Sequence, residues 1–295
     1  MKCAAIFIRM AMLALMVTQV AVGAEPDTLA KIRGSGVLVI GYRAGSVPFS
    51  YHPHPGAAPM GYSISICERI VTAVKSQLRL PNLRTQYLAT TPEARASLLI
   101  NGRIDMECGS AADAQSRSND VDFSTVIFIA ATRVLVQKGT PIKSLRDLNG
   151  QKLSVTQGTA NEQIIEQFSR EKKIAFDLVR GIDYEGSYAN LRVGRANAVA
   201  MDDILLSGLM ANAGDQGRFE FLEEILSREP YAIMLRKNDA AFKRIVDGSI
   251  NEMIAQGVMA KLYLQWFRSP IPPKRVNLGL PFTADMAKVL KLLPE

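Results

Sequence analysis

KLSVTQGTANEQIIEQFSREKKIAFDLV, residues 152–179, sets the reading of the whole chain. Leu153 to Thr156 is a short strand-like run, and Gln157-Gly158 breaks it. Asn161 to Lys173 then has the length and spacing of an amphipathic helix, and Phe176 to Val179 is a second short apolar run. Strand, glycine turn, helix and strand make up the repeating unit of an α/β fold. Downstream the unit continues with a helix over Ser187 to Arg195 and a strand over Ala198 to Met201.

Upstream the same alternation is legible. Val37 to Tyr42 reads as a strand, and Ser63 to Leu80 as a helix with Ser65 and Glu68 at capping-box spacing. Thr85 to Leu88 is the next strand. Thr91 and Pro92 open a helix that stops near Asn101-Gly102, after which Ile104, Met106 and Cys108 alternate on one strand face. Thr132 to Gln137 is a further strand, and the turn-rich segment from Lys138 to Gly150 makes a border between two similar halves. Beyond them, Glu229 to Leu235 reads as a strand, and Ile250, Met253, Ile254, Val258 and Leu262 form the core stripe of a helix.

The 295 residues, 48% of them hydrophobic, suffice for two α/β lobes. Lys2 and Arg9, the apolar run from Met10 to Val22 and the small residues Val22-Gly23-Ala24 predict a signal peptide over residues 1–24, cleaved after Ala24, and hence a periplasmic protein. Its loss leaves 33 basic against 28 acidic residues, a formal charge of +5. With no basic cluster interleaved with aromatics, nucleic-acid binding is excluded as a leading function. The histidines, His52 and His54, fall in a proline-rich loop and form no metal-ligand spacing, so neither a metal nor a cofactor is expected. Cys3 leaves with the signal, and Cys67 and Cys108 are expected as two separate buried thiols. In an α/β fold ligands gather beyond the carboxyl ends of the strands, which turns attention to Arg43–Tyr51, Thr90–Arg95, Gly109–Arg117, Gln157–Asn161, Asp183–Ser187 and Asp202-Asp203.

At those loops Val-Leu-Val-Ile-Gly-Tyr-Arg (37–43), Val-Pro-Phe-Ser-Tyr (47–51), Gly61-Tyr62-Ser63, Asn-Gly-Arg-Ile-Asp (101–105) and Glu107-Cys108-Gly109-Ser110 resemble the family-3 periplasmic amino-acid-binding proteins. Asp122-Phe123-Ser124, Gly158-Thr159, Met201-Asp202-Asp203 and Trp266-Phe267 followed by Pro270-Ile271-Pro272-Pro273 continue the likeness in order, most nearly to the glutamate/aspartate-binding branch. The resemblance implies a two-lobed type II periplasmic-binding-protein fold, each lobe a mixed sheet flanked by helices, with residues 25–133 and 231–295 in lobe 1 and 134–230 in lobe 2. It also implies a monomer that closes on a small amino acid and delivers it to the membrane permease of an ABC transporter.

Site residues follow by position. Arg95, whose guanidinium can bind a carboxylate through two parallel hydrogen bonds, matches the arginine for the ligand's α-carboxylate. Thr159, with the amide of Ala160, matches the anion-binding helix start. Asp202 matches the aspartate for the ammonium, Ser110 adds its carbonyl there, and Asp203 is a helix cap. Arg43 matches the cation that meets an acidic side chain, and Tyr184 stands beside it where the branch carries histidine. Pro92 replaces a serine of that branch and Ala112 a hydroxyl residue, so the distal pocket is less polar and a neutral ligand such as glutamine stays open. Arg117 is expected to brace the binding loop, and Phe49 and Tyr62 to pack on the ligand or in the core. The competing reading is a dehydratase-like enzyme of the same superfamily, with Glu107 and Glu185 as its acid–base candidates. Glu107 is expected to point away from the site and Glu185 to be solvated beside it. A receptor-coupled sensor is a third reading.

Overall fold

The computed structural model describes residues 27–112 and 120–292, folded as two mixed sheets flanked by helices. The expected signal peptide and Arg117 lie outside the described residues. The first sheet orders its strands Arg84–Ala89, Val37–Tyr42, Met106–Glu107, Met234–Arg236 and Val121–Phe123. The first three run parallel, and Met234–Arg236 is antiparallel to both of its neighbours. The second sheet runs Phe219–Phe221, Phe128–Gln137, Ala198–Asp202, Lys152–Thr156 and Asp177–Gly181, and Ser227–Tyr231 also pairs with Phe128–Gln137. Among the described residues no helix is long and apolar enough to cross a membrane.

The stretch that decided the reading forms strand Lys152–Thr156, helix Ala160–Lys172 and strand Asp177–Gly181, the two strands parallel. Thr159 caps the helix by accepting from the Glu162 amide at 3.3 Å. Glu162 in the first turn and Arg170 and Lys172 in the last complement the helix dipole. Lys173 ends it in the left-handed region, its N–H donating to the Ser169 carbonyl.

Elsewhere the elements depart from expectation for identifiable reasons. The helix expected from Ser187 begins at Tyr184, because Asp183 accepts from the Gly186 amide at 2.7 Å and starts it a turn earlier. The Ser65–Glu68 capping box does not form. Gly61 is the cap of helix Tyr62–Leu78, which places Ser65 inside it, accepting from the Trp266 indole at 3.2 Å. Helix Asp203–Ala213 is apolar on nearly all sides, so no amphipathic stripe announces it. The apolar run 229–235 is two strands: Tyr231 still pairs in the second sheet, and Met234 already pairs in the first. At the other passage, Phe128–Gln137 belongs wholly to the second sheet and Val121–Phe123 to the first. The core helical stripe divides between Ala240–Ala255 and Val258–Phe267, separated by Gly257.

An aromatic cluster packs where the chain passes between the sheets. Phe49 lies 5.0 Å from Phe128 and 5.0 Å from Tyr231, and Phe128 lies 4.9 Å from Phe267. Tyr62, 5.1 Å from Phe267, donates to the Ile127 carbonyl at 3.0 Å. Phe49 and Tyr62 are both fully buried in this cluster. Such ring pairs add to burial through their quadrupoles and tie both passages to the C-terminal helices.

Cys67 and Cys108 are joined by a disulfide, which corrects the expectation of separate thiols. Cys67 shares the buried stripe of its helix with Ile70 and Val74, and Cys108 follows strand Met106–Glu107, with the two Cα atoms 6.4 Å apart. Their separation of 41 residues carries no information on how that helix lies over the strand. A loop of this size is stabilised by roughly 4 kcal/mol when closed. Replacing both cysteines by alanine is therefore expected to lower the unfolding free energy by about 2 to 4 kcal/mol in denaturant melts. An unchanged midpoint would mean that the thiols are not joined in the folded protein.

Candidate functional site

Every predicted site residue follows the carboxyl end of a strand or opens the helix after one. Arg43 follows Val37–Tyr42, and Ser110 comes just beyond Met106–Glu107. Thr159 follows Lys152–Thr156, Tyr184 comes after Asp177–Gly181, and Asp202 ends Ala198–Asp202. Arg95 opens helix Arg95–Ile100, whose entry is fixed by Thr91 accepting from the Ala94 amide at 3.1 Å. The loops of the two sheets meet face to face. At Gly158, with φ +71°, a Cβ would stand 3.0 Å from the Glu93 Cα, and at Gly45 one would stand 2.9 Å from a Glu185 carboxylate oxygen. Glycine permits both approaches.

Between the loops lies a cavity of about 250 Å³, lined by Arg43, Thr90, Thr91, Asp183, Tyr184 and Glu185 among others. A larger hollow, about 430 Å³, opens near Ile142 and Asn197, and none of the six predicted residues lines it. Of the six, Arg43 and Tyr184 line the smaller one, and the chemistry around them favours it. Arg43 is 3% exposed, Arg95 2% and Asp202 3%. Among the described residues, Arg43 Nη1 and Arg95 Nε and Nη1 are buried with no hydrogen-bond partner. Burial pulls the Arg43 guanidinium below the usual arginine range. The nearby Arg95 acts in the same direction, while Tyr184, Glu107 and Asp183 oppose it. The Arg43 guanidinium stacks over the Tyr184 ring at 4.9 Å. Buried N–H groups of this kind are costly unless something accepts from them, and two cations side by side call for an anion.

Asp202 is built differently. Its carboxylate accepts from Asn161 Nδ2 at 2.7 Å, from Thr132 Oγ1 at 3.2 Å and from the Tyr231 hydroxyl through a very short bond. Burial pushes the Asp202 carboxyl above its usual range. The bonds from Tyr231, Asn161 and Thr132 pull it back, and the neighbouring Asp203 adds to the rise. Burial and Asp202 together push the Tyr231 phenol well up, which keeps it a donor. Asp202 caps nothing with its side chain, and Asp203 instead accepts from the Ile204 and Ala131 amides. An anionic acceptor held by three neutral donors, with no cation against it among the described residues, is suited to receive an ammonium group.

The remaining predicted residues are buried at the same junction. The Ser110 hydroxyl donates to Ser46 Oγ at 3.4 Å, and Thr159 donates to the Thr156 carbonyl at 2.7 Å while capping its helix. Tyr184 reaches the site as the first residue of its helix. Glu185 lines the cavity wall with its residue still open to solvent, and the partial burial of its carboxyl there, with Asp183, raises it above the usual range. Glu107 is fully buried, accepts from Thr90 Oγ1 at 3.5 Å and has no partner for its Oε2 among the described residues. Sequence reading missed Thr132, Asn161 and Tyr231, which look like ordinary strand and helix residues until the fold brings them to Asp202.

The model of the bacterial extracellular solute-binding proteins, family 3, matches residues 38–269. The chain belongs to that family. Among its relatives, an L-glutamate/L-aspartate-binding protein of Pseudomonas aeruginosa is 39% identical over 263 residues, 89% of this chain and 87% of its own length. A glutamate/aspartate import solute-binding protein of Salmonella typhimurium is 38% identical over 91% of this chain and 88% of its own. Two solved structures share the fold. The cysteine-binding protein of Campylobacter jejuni has a TM-score of 0.71 at 23% identity, covering 82% of this chain and 93% of its own. The ancestral amino acid-binding protein AncCDT-1, a precursor of cyclohexadienyl dehydratase, has a TM-score of 0.70 at 23% identity, covering 81% and 99%. The architecture is thus the type II periplasmic-binding-protein fold, as the resemblance implied.

The raised Asp202 carboxyl links the site to stability. A carboxyl held above its unfolded value binds its proton more readily in the folded chain, so it costs stability at neutral pH, and the cost fades as pH falls through the raised range. Asp202→Asn is expected to leave the ligand-free protein at least as stable at pH 7, by up to about 1 kcal/mol in denaturant melts, with the gain shrinking toward acid. A deficit that is the same at every pH would mean that hydrogen-bond acceptance, and not charge, governs this position.

Proposed function

We propose that the mature chain is the extracytoplasmic binding component of an amino-acid ABC importer, a periplasmic protein that takes glutamate or aspartate between two lobes and presents the closed form to a membrane permease. The observation that carries this reading is the pair of buried guanidinium groups, Arg43 and Arg95, whose N–H donors have no partner among the described residues, at the junction that also holds Asp202. Relatives 37 to 39% identical are named for glutamate and aspartate, which supports the same ligand class here.

In this reading Arg95 grips the α-carboxylate by two parallel bonds, aided by the amide of Ala160 at the helix start that Thr159 caps. Asp202 receives the ammonium, with the Ser110 carbonyl as a second acceptor. Arg43, backed by the Tyr184 ring, meets the far end of the side chain. The two sheets serve as two lobes that hinge where the chain passes between them, on either side of the aromatic cluster. Closure strengthens each charge-assisted bond by excluding water. Binding, not catalysis, accounts for the arrangement: each charged group named here has a complementary group on one small amino acid.

Calorimetric titration of the refolded mature protein is expected to show binding of glutamate or aspartate. Arg95→Ala is expected to cost about 2 to 5 kcal/mol of that binding, because the ligand carboxylate loses its buried partner. Unchanged affinity in the variant would overturn the assignment of Arg95, and absence of binding by either dicarboxylate would overturn the ligand class.

The Asp202 role predicts a pH dependence of its own. Only the ionised carboxylate pairs with an ammonium group, so affinity is expected to fall as pH drops through the raised Asp202 range, above where an ordinary aspartate titrates. Binding should release a proton in that range, read from the difference in apparent enthalpy between buffers of unequal ionisation heat. A flat profile down to the ordinary aspartate range would remove the ammonium from Asp202.

A further inference from the structure

We propose that the C-terminal segment from Leu280 to Leu290 is a latch, which holds the two sheets at the angle where their loops meet and so favours ligand capture without touching the site. The inference rests on the reading that the sheets close on a ligand, and it adds a third tie between them to the two passages of the chain.

On the first sheet's side the segment is held firmly. The Leu280 amide donates to the Phe267 carbonyl at 3.0 Å, the Tyr263 hydroxyl donates to the Pro281 carbonyl at 3.0 Å, and the Tyr263 and Phe282 rings stack at 4.2 Å. Tyr263 and Phe267 belong to helix Val258–Phe267, which packs on helix Tyr62–Leu78 and through it on the first sheet. Beyond Phe282, Thr283 accepts from the Met286 amide at 3.1 Å and turns the chain into helix Ala284–Val289, which lies against strand Phe128–Gln137 of the second sheet.

That helix meets both passages. Strand Phe128–Gln137 pairs with Ser227–Tyr231 along one edge from Phe128 onward, but with Ala198–Asp202 along its other edge only from Thr132. At Ile129 the helix takes the place of a strand: the Ile129 amide donates to Met286 Sδ at 3.2 Å, and Met286 is fully buried. From the neighbouring strand, Arg228 donates to Asp285 Oδ2 at 2.6 Å. The two grips differ in strength. Stacked rings and two bonds to backbone carbonyls fix the segment to the first lobe. Only a buried methionine, whose thioether is a weak acceptor, and an ion pair with side chains 60% and 33% exposed hold it to the second. The segment therefore travels with the first lobe, and its hold on the second is strong enough to bias the angle between them and too weak to lock it.

Arg228 also acts on Asp203, beside Asp202, so the informative changes are at Asp285 and Met286, neither of which lines the cavity. Wild type, Asp285→Asn, Asp285→Glu and Met286→Ala would be titrated calorimetrically with glutamate, and each would be measured by small-angle X-ray scattering free and with glutamate bound. Asp285→Asn is expected to bind about two- to fivefold more weakly and Met286→Ala about tenfold or more, with Asp285→Glu near wild type. The bound radius of gyration should match wild type in every variant, and the free radius should be larger in Met286→Ala. Unchanged affinity in both Asp285→Asn and Met286→Ala overturns the latch, and so does weaker binding with an altered bound radius, which marks a general loss of packing. If wild type does not bind glutamate, the ligand reading fails by itself, and the free radii still decide the latch: no expansion in either variant overturns it. Should Met286→Ala not fold, Asp285→Asn carries the same comparison.

Discussion

Two guanidinium groups and a carboxylate held almost dry at the junction of two sheets are the constraint on which the rest of this structure depends. Water is the cheapest partner for a charge, and here it is largely excluded. Asp202 compensates with three neutral donors, but Arg43 and Arg95 keep buried N–H groups that no described residue accepts from. An unmet buried donor costs about 1 to 3 kcal/mol. The scaffold must therefore supply stability from elsewhere, and it does so close to the site. The disulfide between Cys67 and Cys108 immobilises the residue between Glu107 and Gly109. The aromatic cluster around Phe128 packs against Tyr231, the donor to Asp202. The most strongly braced parts of the chain flank its least satisfied groups.

Tyr231 connects chemistry to architecture. It is the last residue of its strand in the second sheet, three positions before the chain pairs in the first, and its hydroxyl reaches Asp202. Its ring packs on Phe49 from the first lobe's loop. A rotation of one sheet against the other must move this ring relative to Phe49 or move the hydroxyl relative to Asp202. If Asp202 receives an ammonium group and the sheets move against each other, Tyr231 would couple occupancy there to the angle between the sheets.

The α/β character was legible because the units in the second half obey local rules. Residues 152–179 show a strand and a helix of amphipathic spacing, and the structure places both within a residue of expectation. What failed to show was non-local. An apolar run from 229 to 235 looks the same whether it pairs with one sheet or two, and an all-apolar helix such as Asp203–Ala213 has no stripe to read. Of the site, the arginines and Asp202 entered through the family's spacing, since an arginine at a helix start or an aspartate after a strand is ordinary by itself. Thr132, Asn161 and Tyr231 come from three separate elements and meet only in the folded chain.

The surroundings of Arg43 bear on how ligand choice would be distributed. Arg43 taken alone argues for a dicarboxylate. Glu107 and Asp183 oppose the effect of burial and of Arg95 on the Arg43 guanidinium, so part of its charge is met within the chain. Tyr184, where the branch pattern has histidine, lies at the same end and supplies no positive charge. Tyr184 instead lends Arg43 the face of its ring, which stabilises the cation without competing for its N–H groups. Selectivity at such a site would be a difference between two modest terms, the attraction of Arg43 and the repulsion of its acidic neighbours.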